Sequence, residues 1–199
     1  MNDSQESKEA IGLWQIVLEY LKDICYMVAV VVLLFTFCIR FVIVSGDSMF
    51  STLVDGDYLI VMEQHIGGEP QQGDIVVAAM DRFWDGKPIV KRVIATEGQT
   101  VDIDFNAGIV YVDGTALEEH YTFTPTNLSE GTQFPLVVEE GCLFLMGDNR
   151  NESRDSRDPT IGQVDRREIL GKAVFLLFPG SGSYDHPVAV DFGRIGGLN

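Results

Sequence analysis

The chain is poor in positive charge, in cysteine and in any basic run. Lysine and arginine number 14 against 30 aspartates and glutamates in 199 residues, a formal net charge of −16. Nucleic-acid binding needs clustered Lys and Arg against phosphates. The basic doublets Lys91-Arg92 and Arg166-Arg167 stand isolated, so nucleic acid is excluded as a partner. Cys25, Cys38 and Cys142 form no CxxC and no Cys/His cluster, which argues against a disulfide framework or a zinc site. No metal and no cofactor is expected. His65, His120 and His186 are scattered, each in a polar or turn-like context, so a Ser-His-Asp triad has little support. With 46% hydrophobic and 22% charged residues, the chain is neither disordered nor a polytopic membrane protein. Its length suits one domain with a real core plus a short appendage.

One long apolar run stands out. Residues 24–39 contain no charge, and after Arg40 the run continues through Val44. Taken as a helix, about 20 residues would cross a bilayer core of roughly 30 Å. The first residues are polar and acidic and no Ala-x-Ala follows the run, unlike a cleavable signal. The run also lacks the polar face of a core helix. The expected organisation is therefore a cytoplasmic segment over 1–23, a transmembrane anchor over 24–43 and an extracytoplasmic catalytic domain over 44–199. Lys8 and Lys22 precede the run and only Arg40 closely follows it, which orients the N-terminus to the cytoplasm. The expected location is the cell membrane, single-pass, with the lipid bilayer as a partner.

Beyond Val44 the chain reads as short strands. Segments 57–62, 74–78, 89–94, 100–105, 108–112 and 142–146 are apolar, β-branched and bounded by Gly, Asp, Asn or Pro, the composition of strands between turns. Residues 101–105 alternate with period two, Asp113-Gly114 marks a hairpin, and 170–178 predicts a further strand. Residues 121–135 read as a surface loop. The predicted fold class is mainly β, a barrel or stacked sheets.

Three segments carry possible chemistry. Ser45-Gly-Asp-Ser-Met-Phe-Ser-Thr-Leu53 places Ser48 in a turn, where a serine is ordinarily a turn residue or a cap. A serine nucleophile also needs a base. Of the lysines after the run, Lys87 lies in a turn and Lys172 at the edge of a strand. Lys91 sits within Ile-Val-Lys-Arg-Val-Ile. In a strand, Lys91 shares a face with Ile89 and Val93 while Arg92 points the other way. Burial there would lower the amine's pKa towards that of a usable base; a snorkelling edge lysine is the plainer alternative. Gly147-Asp-Asn-Arg-Asn-Glu-Ser-Arg-Asp-Ser-Arg157 is either a polar loop or one made rigid by pairs such as Asp155–Arg157 or Asp148–Arg92.

Together with Gly73-Asp-Ile-Val-Val and Lys91-Arg-Val-Ile, these segments resemble the ordered motif boxes of type I signal peptidases, in a short Gram-positive-like form. The resemblance covers Val44 to about Arg157. It implies a signal-peptidase-like β domain and a Ser–Lys dyad serine protease that removes N-terminal signal peptides of exported preproteins after Ala-x-Ala-like sequences, by way of an acyl-enzyme. By matching positions, Ser48 is the nucleophile, Lys91 the base and Ser153 the residue orienting that base. Arg92, Asp148, Asp155 and Arg157 fall on structural ion-pair positions, and Val44, Met49, Leu53 and Val90 on substrate-binding positions. The implied partners are signal peptides and the secretion translocase.

The chain departs from the family pattern at three places. Ser51 and Glu97-Gly98 stand where Pro and Pro-Gly are usual. Gly46 stands where some members carry a serine whose hydroxyl supports the oxyanion hole, so the Ser48 N–H would supply more of it. The alternatives are a self-cleaving Ser–Lys repressor, whose N-terminal DNA-binding helix pair is replaced here by the apolar run, an assembly factor with a decayed site, and a tethered β adaptor.

Overall fold

The computed structural model describes residues 3–83 and 86–198, with side-chain environments from Trp14 onward. The chain divides into two compact units, Met1–Ile39 and Arg40–Asn199.

The first unit is a helix, α1 (Asp3–Phe37). Its uncharged stretch, residues 24–37, is too short for the anchor expected over 24–43. At 1.5 Å per residue it covers about 21 Å, below a hydrocarbon core of roughly 30 Å. Lys22, Asp23 and Glu19 charge the turns before it, and residues 39–43 are strand instead of helix. Among the described residues no helix is long and apolar enough to cross a membrane. Among the described residues the anchor expected over 24–43 is not matched by such a helix.

The second unit is built from antiparallel strands: β1 (Ile39–Ile43, beginning at the unit boundary), β2 (Tyr58–Met62), β3 (Ile75–Ala78), β4 (Ile89–Thr96), β5 (Thr100–Asp104), β6 (Ile109–Val112), β7 (Thr115–Ala116), β8 (Leu136–Val137), β9 (Cys142–Met146), β10 (Val164–Asp165), β11 (Ile169–Phe178) and β12 (Gly196–Gly197). A single helical turn, Gln64–Gly67, interrupts the series. The larger sheet runs β1-β2-β11-β3-β4-β9-β10 with β12 on β11, and the smaller runs β7-β6-β5-β8. The fold is mainly β.

Alternation explains how both faces are used. In β3, Val76 and Ala78 join one buried cluster with Ile89, Val93 and Leu145. Ile75 and Val77 join another with Leu59, Val61 and Val90. Each Val, Ile or Leu among them contributes about 1.5–3 kcal/mol on burial. β5 follows the period-two expectation, with Val101 and Ile103 buried and Asp102 and Asp104 exposed. Asp113 and Gly114 both take positive φ, 51° and 76°, the backbone that a tight primed turn between β6 and β7 requires.

Candidate active site

β4 carries the centre of the site because it is long enough to serve two neighbours. Its first half pairs with β3, setting Val76 opposite Lys91 and Ile75 opposite Arg92; its second half pairs with β9. Lys91 is 4% exposed. Its Nζ lies 2.6 Å from Ser48 Oγ and donates to the Val90 carbonyl at 3.1 Å. Burial lowers the amine from 10.5 to about 8, against the nearby carboxylates of Asp155, Asp148 and Glu130, which hold it up. Lys172 is instead ion-paired with Asp74 at 2.7 Å.

Ser48 sits in a loop tied at several points. Gly46 N–H donates to Asp55 Oδ1 at 2.7 Å. The Ser48 carbonyl accepts from Asn149 N–H at 3.1 Å, and Leu53 N–H donates to the Met49 carbonyl. Val54 N–H donates to buried Asp57 at 2.8 Å, and Arg194 pairs with the same carboxylate at 2.6 Å.

The segment 147–157 folds on itself through buried forks. Arg92 grips Asp148 at 2.8 and 2.7 Å and donates to the Gly73 carbonyl at 2.7 Å. Its guanidinium lies 4.0 Å from the Tyr121 ring centroid. Arg157 grips Asp155 at 2.8 Å through both Nε and Nη2, and Asp155 also accepts from Gly147 N–H at 3.0 Å. Bidentate pairs of this kind add geometric definition as well as energy.

Glu130 stands 3.6 Å from Arg157. Burial, and then the like charge of Asp155, push its carboxyl up to about 7. Ser153 is buried, and its Oγ has no hydrogen-bond partner among the described residues, so its hydroxyl is not bonded to Lys91 here. It lies against Gly147, where a Cβ would meet Ser153 Oγ at 2.2 Å and the Ser48 carbonyl at 2.3 Å.

A cleft of about 960 Å³ opens at the pair, lined by Val42 to Met49 on one side, Lys87 to Lys91 on another, and Glu152 and Arg154. Val44, Met49 and Val90 line it. Leu53 packs behind them in the same apolar cluster, fully buried, and is not part of the lining. Among the described residues no group of three His, Cys, Asp or Glu is placed to hold a metal ion. The cysteines are unpaired, Cys142 being half-buried.

Four participants escaped the sequence reading. Arg150 pairs with Glu119, whose Oε2 lies 2.8 Å from Nη1, and its Nε donates to the Gly147 carbonyl at 3.1 Å. Tyr121 and Glu130 lie in the stretch read as a surface loop and Glu119 just before it; only Arg150 stood inside a quoted motif.

The chain belongs to the signal peptidase, peptidase S26 family, whose model matches residues 17–178. It is accordingly an endopeptidase, a hydrolase of peptide bonds. Its relatives carry the name signal peptidase I. A probable signal peptidase I-1 of Synechocystis sp. is 37% identical over 84% of this chain and 86% of its own. A signal peptidase I of Bacillus licheniformis is 33% identical over 81% of this chain and 88% of its own. A solved signal peptidase I from Enterococcus faecalis V583 aligns with a TM-score of 0.43 at 28% identity, covering 53% of this chain and 97% of that one.

Proposed function

We propose that the protein removes N-terminal signal peptides from exported preproteins, with Ser48 as nucleophile and Lys91 as general base. The observation that carries this reading is the 2.6 Å contact between Lys91 Nζ and Ser48 Oγ, at an amine whose burial lowers it to about 8. A neutral amine at that distance accepts the serine proton as the oxygen attacks the scissile carbonyl. The protonated amine then gives the proton to the leaving amine. In the second half-reaction Lys91 takes a proton from the water that attacks the acyl carbonyl and returns it to Ser48 Oγ as the ester bond breaks, which frees the acid product and the serine.

The Ser48 N–H has no partner among the described residues, and it is our candidate donor to the developing oxyanion. The Gly46 N–H is committed to Asp55 and Gly46 has no hydroxyl, so Gly46 acts by leaving the cleft open. Ser153, with its unclaimed buried hydroxyl, is the group that orients the lysine once substrate excludes water. The apolar lining by Val44, Met49 and Val90 suits small side chains before the cut, which supports cleavage after Ala-x-Ala-like sequences. Signal peptides are apolar, and residues 24–37 of α1 bear exposed apolar side chains such as Val28, Leu33 and Phe37. The lipid bilayer surface, on its extracytoplasmic side, and the secretion translocase therefore remain the partner classes of this reading.

The test is cleavage of a preprotein bearing an Ala-x-Ala site by wild type beside Ser48→Ala. Cut product from wild type alone supports the proposal. Equal cutting by both sinks it.

A further inference from the structure

The family match ends at residue 178, yet residues 179–198 run on across the back and rim of the Ser48 loop. Two points pin this strap. Gly180 N–H donates to Asp57 Oδ1 at 2.7 Å, and Arg194 donates to the same carboxylate and to the Thr52 carbonyl at 3.2 Å. Between those anchors the strap turns inward, and the residue it brings to the site is His186.

His186 touches both halves of the site at once. Its Nε2 lies 2.9 Å from Glu152 Oε2, one residue before Ser153. Its ring stacks on Phe50, two residues after Ser48, with centroids 4.7 Å apart and planes 15° apart. Phe123 packs edge-on against both rings, 5.9 Å from His186 and 4.8 Å from Phe50. The backbone N–H of His186 donates to Ser183 Oγ at 3.1 Å, and that hydroxyl donates to Asp47, the residue before Ser48. Asn149 completes the circuit: its Nδ2 reaches both Glu152 Oε2 and the Asp47 carbonyl at 3.2 Å.

We propose that His186 is a positioning residue that clamps the Ser48 loop to the segment 149–153, through Phe50 on one side and Glu152 on the other. It touches no reacting atom. Its effect is to hold Ser48 Oγ and the Ser48 N–H in register with Lys91, where a displacement of about 1 Å is enough to slow the chemistry. The groups facing the imidazole are Glu152 and Asp47 across from it and Asp185 on its own segment, all acidic, and the hydrogen bond to Glu152 raises it above its ordinary 6.5. The charged ring makes the stronger, charge-assisted clamp. A neutral ring still donates through Nε2–H, so the clamp weakens as pH rises but is not lost.

This inference rests on the proposed peptidase reading, and its test separates the two. Full-length wild type, His186→Phe, His186→Gln, Glu152→Ala and the double variant combining His186→Phe with Glu152→Ala are compared on the Ala-x-Ala preprotein, per mole of folded enzyme by circular dichroism. His186→Phe keeps the stack and removes the donor; we expect kcat to fall about tenfold with KM within about twofold. His186→Gln keeps a donor that cannot charge, and it restores most of that loss. The ratio of wild-type to His186→Gln kcat falls towards one as pH is raised from about 6 to about 9. Lys91 titrates in both proteins, so its contribution cancels in that ratio. The double variant is no slower than the slower single. An unchanged kcat in His186→Phe, a ratio flat with pH, or fully additive losses each overturn the clamp while leaving the peptidase standing. Wild type that cuts nothing overturns both.

Discussion

Lys91 and Arg92 are consecutive in β4, and the pleat sends their charges to opposite sides of the strand. The amine meets Ser48 Oγ at 2.6 Å; the guanidinium meets Asp148 through two bonds of 2.8 and 2.7 Å. One strand thus supplies a desolvated amine and, on its other face, the charge that fastens the segment 147–157 against it. Opposite-charge partners are given to the arginine and a hydroxyl to the lysine. That division leaves the lysine free to lose its proton near neutrality.

The first prediction concerns the acid limb of activity. On the proposed mechanism Lys91 works as the neutral amine, and burial lowers its pKa to about 8. The rate should therefore rise with pH, with unit slope below about 8, and level off above it. Ser48→Ala and Lys91→Met should each remove cleavage, by at least about a thousandfold. A pH profile of kcat on the preprotein checks the limb, and a plateau already reached near pH 6 would refute it.

Lys91→Met should also stabilise the fold. With the folded pKa near 8 and the ordinary value at 10.5, the unfolded chain holds the extra proton between those two pH values. Wild-type stability therefore climbs across that window as pH rises. At pH 7 the full cost of burying the amine is present, about 3 kcal/mol as an upper figure. Urea unfolding should show the methionine variant ahead at pH 7 and the gap closing above about pH 8.

Glu130→Gln should move the acid limb down. The Glu130 carboxylate is among the groups holding the lysine's pKa up. Its own carboxyl, raised to about 7, is mostly ionised where Lys91 titrates. Removing that charge makes Lys91 easier to deprotonate, so the limb shifts to lower pH by a fraction of a unit. A shift upward would show that the coupling has the opposite sign.

Arg92→Ala should be among the costliest changes outside the Ser48–Lys91 pair. Arg92 is 3% and Asp148 0% exposed, so the aspartate would be left buried without its counter-charge, at about 3–5 kcal/mol. Arg92→Lys keeps the charge but loses the fork and the contact with Tyr121, and should cost less. Chemical denaturation of the three proteins ranks them.

Gly147→Ala should lower activity more than its size suggests. An added methyl would press on the Ser48 carbonyl at 2.3 Å and on Ser153 Oγ at 2.2 Å. The backbone must shift, at about 1–3 kcal/mol, and the shift falls on Ser48. A variant with wild-type kcat would show that the loop tolerates it.

The strands legible in the sequence were those of four or more residues with turn residues at each end, such as 58–62 and 142–146. β7, β8, β10 and β12 are two residues long and exist only because a longer strand lies alongside them. The apolar run after residue 24 shows the limit of pattern. Ile and Val suit an extended strand as readily as an apolar helix, and the switch after Phe37 coincides with β1 having β2 beside it.

Local composition by itself determined the turns, the long strands and the motifs that named Ser48, Lys91 and the 147–157 segment, because residue spacing and backbone preference act over a few residues. Tertiary structure alone decided that an amine 43 residues from the serine would be dry and 2.6 Å away. It alone brought Glu119 to Arg150 and His186 to Glu152. Desolvation and charge pairing depend on which surfaces the sheets press together, and no stretch of sequence carries that information alone.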